Sequence, residues 1–322
     1  MDRTAHLRQK LEEQKILRGH PEKSLLDIAQ LDGDQLARIL DCAHAMKARP
    51  SDFKSSLSGK KIVLLFQKTS TRTKESFWVG SHELGMFPSY IDWTRSNFTL
   101  GALEDEIKVL SQWYEIIMAR VYKHEDLVTM KQYSEVPIIN GLCDRFHPCQ
   151  ALTDLLTIQE FFGRDLAGLK LAYIGDGNNV CNSLIQAASL AGISHVSVAT
   201  PDGYRPLKEA EEFAAKHTSY HWTQSPYEAV EGAHIVYTDT WVSMGQEEET
   251  EARLKIFKDY QVNADLMKRA DPNHIFMHDL PAHPGLEVTA DVLRGERSVI
   301  FTQAQNRNHA QKALMHHILK TD

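Results

Sequence analysis

The sequence has 322 residues, of which 42% are hydrophobic and 25% are charged. This composition excludes fibrous, collagen-like and largely disordered chains, and the length favours two globular domains. A net charge of −7, from 36 Lys and Arg against 43 Asp and Glu, argues against a nucleic-acid-binding protein.

The cysteines and the apolar runs indicate the compartment. The 4 cysteines form no paired framework, which is typical of free thiols in a reducing compartment. The amino-terminal stretch lacks the apolar segment of a signal peptide, and the longest apolar runs, such as residues 62–66, are far below the ~20 residues that span a bilayer. We therefore expect a cytoplasmic protein with no membrane partner.

Short apolar runs alternate with amphipathic segments along the chain, and the apolar runs are predicted strands. Each lacks a clean polar alternation, which is typical of strands buried on both faces. The predicted strands are Lys61–Phe66, Ser89–Asp92, Glu115–Val121, Pro137–Leu142, Leu169–Gly175, His195–Thr200, His234–Asp239, Ile275–Asp279 and Ser298–Phe301.

Helices are predicted between these strands from apolar residues at i, i+3, i+4 spacing and from closing glycines. The predicted segments are 36–46, Thr73–Leu84, Asn182–Leu190, Leu207–His217 and Glu228–Ala233. The alternation predicts an α/β fold with parallel strands and helices on both faces, in one large sheet or two smaller ones. Pro148–Phe162, near the midpoint, is a candidate bridge between two halves, and Ala304–Leu319 is a final helix.

Polar side chains follow the first predicted strand, where ligands of open α/β sheets bind. Residues 68–73 read Lys-Thr-Ser-Thr-Arg-Thr and offer two cations, several hydroxyls and the free N–H groups of a helix start. These groups suit a phosphate-like dianion. The alternative is a helix cap at Ser70 or Thr71 followed by solvated charges.

Further polar groups follow the next strands. Arg120, His147 and Gln150 fall at the same predicted sheet edge as Arg72, and this convergence favours a site over a structural histidine. In the second half, the turn at residues 176–179 lacks the G-x-G-x-x-G spacing, so a dinucleotide is not predicted. No Cys-x-x-Cys or His-Glu-x-x-His spacing predicts a metal.

Four separated motifs resemble the aspartate/ornithine carbamoyltransferases. They are Ser70-Thr71-Arg72-Thr73, His147-Pro148-x-Gln150, Asp176-Gly177-Asn178-Asn179 and Asp239-x-Trp241-x-Ser243-Met244-Gly245. The last one is similar to the ornithine branch. The resemblance implies two doubly wound parallel-sheet domains joined by interdomain helices. Residues 1–147, with the C-terminal helix 303–322, would bind carbamoyl phosphate, and residues 148–302 would bind an amino acid.

The resemblance also implies partners and residue roles. It implies a homotrimer with active sites at subunit interfaces and no metal or organic cofactor. The residues implied for carbamoyl phosphate are Ser70, Thr71, Arg72, Thr73, Arg120, His147, Gln150 and Arg307. Those implied for the amino acid are Asn179, Asp239, Ser243, Met244, Asp279 and Leu280. The catalytic set would be Arg72, Arg120, His147, Asp279 and Arg307.

Two stretches depart from the family pattern. Asp279 stands where the ornithine branch has a cysteine beside the amino-acid substrate, and two carboxyls in one pocket raise one pKa or demand a cation. We hypothesise that Asp279 contacts the reacting amine as a base or an anchor; the alternative is a bond to the backbone only. In the loop 95–104, Thr99 replaces a Gln or His that reaches a neighbouring subunit, and Phe98 and Trp93 are candidates to fill acceptor space.

These departures leave several acceptors open. They are ornithine, an N-modified ornithine, 2,3-diaminopropionate, 2,4-diaminobutyrate and lysine. Two other functions are a non-catalytic anion-binding homologue and a lyase that splits a ureido compound with phosphate. The intact set of Arg72, Arg120, His147, Gln150 and Arg307 favours catalysis over the non-catalytic homologue.

Overall fold

The computed structural model of the chain describes residues 3–16, 21–242 and 250–320. Within them, the strands form two all-parallel sheets. The chain belongs to the α/β class with two parallel-sheet domains, as predicted. In the described part, no helix is both long enough and apolar enough to cross a membrane.

The first sheet has the strand order β2-β1-β3-β4. Its strands are β1 (Lys61–Phe66), β2 (Phe87–Asp92), β3 (Ile116–Arg120) and β4 (Ile138–Leu142). The helices before and between them are α1 (Arg3–Ile16), α2 (Gly33–Ala48), α3 (Thr71–Glu83), α4 (Leu103–Leu110) and α5 (His124–Tyr133). The chain moves outward from β1 to β2 and then crosses back to β3, so the winding reverses between β1 and β3.

The second sheet has the order β7-β6-β5-β8-β9. Its strands are β5 (Lys170–Ile174), β6 (His195–Ala199), β7 (Ser219–Thr223), β8 (Ile235–Thr238) and β9 (Ile275–Met277). Its helices are α7 (Asn179–Leu190), α8 (Lys208–His217), α9 (Pro226–Val230), α10 (Thr250–Phe257), α11 (Ala264–Met267) and α12 (Ala290–Leu293). Here the winding reverses between β5 and β8, which opens a crevice at the carboxyl ends of those strands.

Two long helices connect the sheets. The first is α6 (Pro148–Phe162), with the bounds predicted for it, and the second is α13 (Ile300–Leu319). Helix α13 packs on α6, α2 and α3, while α6 also packs on α7. One hydrophobic core therefore runs from Leu64 of β1 through Leu155 of α6 to Tyr173 of β5. The domain boundary at 147/148 stays a prediction.

One predicted strand is absent, and one strand of the structure was not predicted. Ser298–Phe301 is not a strand, because Ser298 makes only an isolated bridge to Phe276 and α13 begins at Ile300. Conversely, β7 was not predicted, because this edge strand carries the polar sequence Ser-Tyr-His-Trp-Thr. The other predicted strands are present, with ends shifted by one or two residues.

Candidate active site

A single cleft of about 890 Å³ lies where the carboxyl ends of both sheets face each other. Residues that follow β1, β3 and β4 line one wall, and residues that follow β5, β8 and β9 line the other. The position follows from the topology, since both sheets reverse their winding next to this cleft. Side chains distant in sequence therefore converge here.

The first wall begins with the amino-terminal turn of α3. The Ser70 side chain caps this helix and accepts a hydrogen bond from the Thr73 backbone nitrogen at 3.2 Å. The first turn of α3 can therefore serve both as a capped helix start and as the candidate anion site. The first-turn N–H groups of a helix lack intrahelical partners and favour an anion. Lys68 also lines this wall, and burial, then the charge of Arg120, lowers its pKa to about 8.

Two arginines from distant segments meet at Thr73, which directly follows Arg72 in the chain. The Thr73 hydroxyl accepts hydrogen bonds from Arg120 Nη1 at 3.3 Å and from Arg307 Nη2 at 2.8 Å. Arg72 donates across the cleft to the Leu280 carbonyl. Burial, then the charge of Arg307, lowers the pKa of Arg120 to about 9, which keeps it protonated at neutral pH. The Nε atoms of Arg72, Arg120 and Arg307 are buried without a hydrogen-bond partner among the described residues, so this wall is a concentrated positive site.

His147 lies next to these arginines, at the start of α6. Its backbone N–H donates to Ser183 Oγ of α7 at 2.8 Å, which anchors it to the second sheet. The ring is buried, and Nδ1 has no hydrogen-bond partner in the described part of the chain. Burial, then Arg307 and Arg120, lowers the pKa of His147 well below its ordinary value. The imidazole is therefore neutral at pH 7 and acts as a hydrogen-bonding group without charge.

The opposite wall begins with the turn after β5. A Cβ at Gly177 would lie 2.3 Å from the Pro206 backbone nitrogen, so only glycine fits there. Asn178 caps α7 and donates from Nδ2 to Asp239 Oδ2 at 2.7 Å. Asn179 is turned the other way and donates to the Cys143 carbonyl at 2.6 Å. Of the two asparagines, Asn178 is the one that orients a site carboxyl.

Asp239 and Asp279 form a carboxyl pair at this wall. Burial, then the charge of Asp279 and a hydrogen bond with it, raises the pKa of Asp239 well above its ordinary value, while Asn178 opposes the shift. Like charges this close cannot both ionise, so the pair shares a proton. The Asp279 side chain therefore faces another carboxyl in the cleft, which is the placement that its proposed contact with an amine requires.

His278 completes a cluster with these two carboxyls in which ligand atoms lie within 4.8 Å of one another. Its Nδ1 accepts from the Leu280 N–H at 2.9 Å, and its Nε2 lies 3.3 Å from Glu287 Oε1. Both ring nitrogens are thus engaged, and the cluster suits a structural role better than metal binding. The histidine helps to hold Leu280 in a left-handed conformation, φ 63°, with its carbonyl accepting from Arg72.

Sequence reasoning missed an ion pair on this second wall. Arg253 of α10 binds the Asp176 carboxylate and donates from Nε to the Trp241 carbonyl at 2.6 Å. Its guanidinium also lies 4.9 Å from the centre of the Tyr204 ring. No local motif marks Arg253, since its partners are about 77 and 12 positions away in the chain. The pair neutralises Asp176 and leaves Asp239 and Asp279 as the other carboxyls among the described residues of this wall.

The remaining predicted positions divide into three groups. Ser243 and Met244 lie outside the described residues. Trp93 and Phe98 pack against each other with ring centres 4.8 Å apart in a core cluster of the first domain, so they do not fill acceptor space. Thr99 is exposed and does not line the cleft of its own chain.

Comparisons with known proteins decide the family. Residues 23–160 match the model of the aspartate/ornithine carbamoyltransferase carbamoyl-P binding domain, and residues 167–318 match that of the Asp/Orn binding domain. The chain belongs to the aspartate/ornithine carbamoyltransferase family. It is therefore a carbamoyltransferase by descent, and its cleft lies between the two domains of that family.

Individual relatives agree across nearly the whole chain. The ornithine carbamoyltransferase of Carboxydothermus hydrogenoformans is 46% identical, over 91% of this chain and 96% of that protein. The solved ornithine carbamoyltransferase of Pyrococcus furiosus is 43% identical, with a TM-score of 0.87 over 92% of this chain and 96% of that one. The Thermus thermophilus structure is 41% identical, with a TM-score of 0.84 over 92% and 99%.

Proposed function

We propose that this protein transfers the carbamoyl group from carbamoyl phosphate to the side-chain amine of ornithine or an ornithine-like diamino acid. The products would be a ureido amino acid and phosphate. One observation carries the proposal: three arginines whose Nε atoms have no partner among the described residues and a pair of carboxyls line opposite walls of one cleft. The relatives named ornithine carbamoyltransferases make ornithine the first acceptor to test.

The donor is held by the first wall in this proposal. The hydroxyls and N–H groups of Ser70, Thr71 and Thr73, with Arg72, bind the phosphate group. Arg120 and His147 donate to the carbonyl oxygen of the carbamoyl group, and Gln150 contacts its amide. Arg307, which bonds both Thr73 and Gln150, lies between the phosphate and carbamoyl positions and stabilises the departing phosphate.

The acceptor is held by the second wall. Asp239, oriented by Asn178, binds the ammonium group of the amino acid, and Ser243, Met244 and the Leu280 backbone complete that subsite. Asn179 joins it in this proposal by exchanging its bond to the Cys143 carbonyl for one to the amino acid. Asp279 is close enough to Asp239, Arg120 and Arg307 for its charge to act on all three. In this proposal its carboxyl stands at the boundary between the subsites, where a side-chain amine meets the carbamoyl carbon.

The reaction then needs only proton transfer and charge stabilisation. The neutral amine attacks the carbamoyl carbon, the carbonyl π electrons move to oxygen, and the collapse of this oxyanion breaks the bond to phosphate. The amine proton passes to the Asp279 carboxylate, and phosphate leaves with the electron pair. One donor to an oxyanion contributes about 2.7–4 kcal/mol, and alignment of two substrates contributes roughly 7–11 kcal/mol.

We further propose a homotrimer whose active sites lie at subunit interfaces, with the reaction in the cytoplasm. Thr99 is exposed and Leu100 beside it is 84% exposed, so this loop tip is available to a neighbouring subunit. The cysteines Cys42, Cys143, Cys149 and Cys181 are free thiols, as a reducing compartment favours. Sedimentation equilibrium of the purified chain tests the trimer; a monomer with full activity would contradict it.

A panel of acceptors tests the function. The protein is incubated with carbamoyl phosphate and each of ornithine, 2,4-diaminobutyrate, 2,3-diaminopropionate, lysine and an N-modified ornithine, and the ureido product is measured. We expect product with at least one of them. Phosphate release without ureido product would indicate hydrolysis only, and tight carbamoyl phosphate binding without turnover would indicate a non-catalytic homologue.

A further inference from the structure

A buried carboxyl lies behind the cleft, out of reach of any substrate. Asp154 is one turn after Gln150 on α6, is fully buried and does not line the cleft. Its Oδ1 atom accepts two hydrogen bonds from side-chain amides, from Gln150 Nε2 at 2.7 Å and from Gln303 Nε2 at 2.8 Å. One carboxyl oxygen of Asp154 thus binds the side-chain amides of two helices, α6 and α13.

The first bond decides how the Gln150 amide is turned. Because its NH₂ group faces Asp154, its oxygen is free to accept from Arg307 Nη1 at 2.5 Å, and Arg307 lines the cleft. The surrounding groups, Arg120 and Arg307, are donors. The NH₂ end of a carbamoyl group is also a donor and needs an acceptor, so the Gln150 oxygen is the complementary atom on this wall.

The second bond leads to the acceptor wall. Gln303 also donates from Nε2 to the Tyr237 hydroxyl at 3.0 Å, and its oxygen accepts from the His278 backbone N–H at 3.0 Å. His278 directly precedes Asp279 and holds Leu280. The start of the segment that carries the proposed base is therefore tied to the same carboxyl oxygen as Gln150.

We propose that Asp154 is a positioning residue that holds the Gln150 amide oxygen toward the carbamoyl group and, through Gln303, fixes the His278–Pro281 segment. The inference rests on the proposed function and deepens it, because it assigns the selection of a carbamoyl group over bare phosphate to one buried acid. Asp154 would then position residues of both substrate subsites.

The electrostatics identify the property of Asp154 that matters. Burial raises its pKa to about 7 and Asp279 adds to the shift, while the Gln150 and Gln303 amides and Tyr237 oppose it. The other charge that acts on it is that of Arg307 from α13. Both amides bond Oδ1, whereas Oδ2 is buried without a hydrogen-bond partner among the described residues. An acceptor oxygen, rather than a full negative charge, is what the anchor requires.

Three variants separate these properties. Asp154→Leu removes the acceptor, Asp154→Ser leaves a gap that water can fill if the leucine variant does not fold, and Asp154→Asn keeps one acceptor oxygen without charge. Thr157→Val is the matched control, because Thr157 is one turn along α6 and its hydroxyl bonds Asn306 of α13 at 2.9 Å. Calorimetry measures the affinity for carbamoyl phosphate and for inorganic phosphate.

We expect Asp154→Leu and Asp154→Ser to bind carbamoyl phosphate about ten- to a hundredfold more weakly, since the buried Gln150 amide loses its acceptor and its orientation. Phosphate affinity should change less than about twofold, because residues 70–73 bind phosphate without Gln150. Asp154→Asn and Thr157→Val should keep the preference of the parent protein for carbamoyl phosphate. The KM for the acceptor should rise in the leucine and serine variants only.

Other outcomes overturn the proposal. An equal loss for both anions would show general damage to α6, and unchanged carbamoyl phosphate affinity in the leucine or serine variant would show that Gln150 needs no anchor. An unchanged acceptor KM would remove the link through Gln303. Failure of the proposed function differs from all of these, because the parent protein itself would then form no ureido product with any acceptor, whatever the affinities of the Asp154 variants.

Discussion

The two walls of the cleft are built from opposite charges that are neutralised to different degrees. On the first-domain wall, burial and the charges of neighbouring arginines lower the pKa of Arg120 and of Arg307. The Nε atoms of these two residues and of Arg72 are buried without partners among the described residues. On the second-domain wall, Arg253 already neutralises Asp176, and a shared hydrogen bond joins the other two carboxyls. The first-domain wall therefore carries positive charge that a bound anion would neutralise. The carboxyl pair of the second-domain wall is instead partly neutralised by the proton that it shares.

This difference explains how one cleft can hold two unlike substrates. In the proposed function, a dianion relieves the repulsion within the arginine cluster, so donor binding should be driven by charge. The carboxyl pair would instead exchange its proton for an ammonium group, so acceptor binding should depend on pH and on the shape of the amine. Replacement of single side chains in either wall tests this difference.

Removal of a guanidinium from the positive wall should have the largest effect. We expect Arg72→Ala to bind carbamoyl phosphate about a hundred- to a thousandfold more weakly, because hydrogen bonds to a charged group are lost from a desolvated site. Calorimetry with the purified variant measures this loss. Arg38→Ala, an exposed arginine of α2, is the control, and retained affinity in Arg72→Ala would contradict the donor assignment.

Replacement of His147, the uncharged imidazole of the first-domain wall, should affect turnover more than binding. We expect His147→Ala to lower kcat about a hundred- to a thousandfold, as loss of one oxyanion donor does. Since the pKa of His147 lies well below its ordinary value, this imidazole does not titrate near neutrality, and the acid limb of the pH profile should keep its shape in the variant. His217→Ala, at an exposed position, is the control. A kcat that does not fall would exclude His147 from the reaction.

The sequence predicts the positive wall better than the acceptor wall. Strands such as β1 and β3 are continuous apolar runs, so their ends, and with them Arg72 and Arg120, are predictable from the pattern. The polar edge strand β7 has no such signal. Ser298–Phe301 looks like a strand locally, but Ile300 is buried as the first residue of a helix.

Local sequence patterns could not predict the long-range contacts, and the reason is physical. The bond between Asp154 and Gln303 spans 149 positions, and that between Asp176 and Arg253 spans 77. Neither partner stands in a spacing that marks a pair, since only the packing of α6 against α13, or of α10 against the sheet edge, brings them together. Likewise, the loop at Trp93 and Phe98 gave no sign that its aromatic rings turn into the core rather than the cleft.

On the acceptor wall, replacement of Asp279 should change both rate and preference. We expect Asp279→Cys to lower kcat/KM for the preferred diamino acid about a hundredfold near pH 7, the lower end of what a general base contributes. The ranking of diamino acids should also change, because the carboxyl pair becomes a single acid at Asp239. Asp259→Asn, at an exposed position, is the control. Unchanged rates and ranking would leave Asp279 with a backbone role only.

The smallest expected effect is on stability and concerns the carboxyl behind both walls. The folded protein holds the proton of Asp154 up to about pH 7, whereas the ordinary value is 3.8. The unfolded chain therefore releases this proton first, and the contribution of Asp154 to stability falls as the pH rises from about 4 to 7. Asparagine does not titrate, so the Tm of Asp154→Asn minus that of the parent protein should increase between pH 5 and pH 8. Thr157→Val should shift Tm by the same amount at each pH. Parallel curves for Asp154→Asn would mean that Asp154 is already ionised at pH 5 and that the two amides stabilise its charge fully.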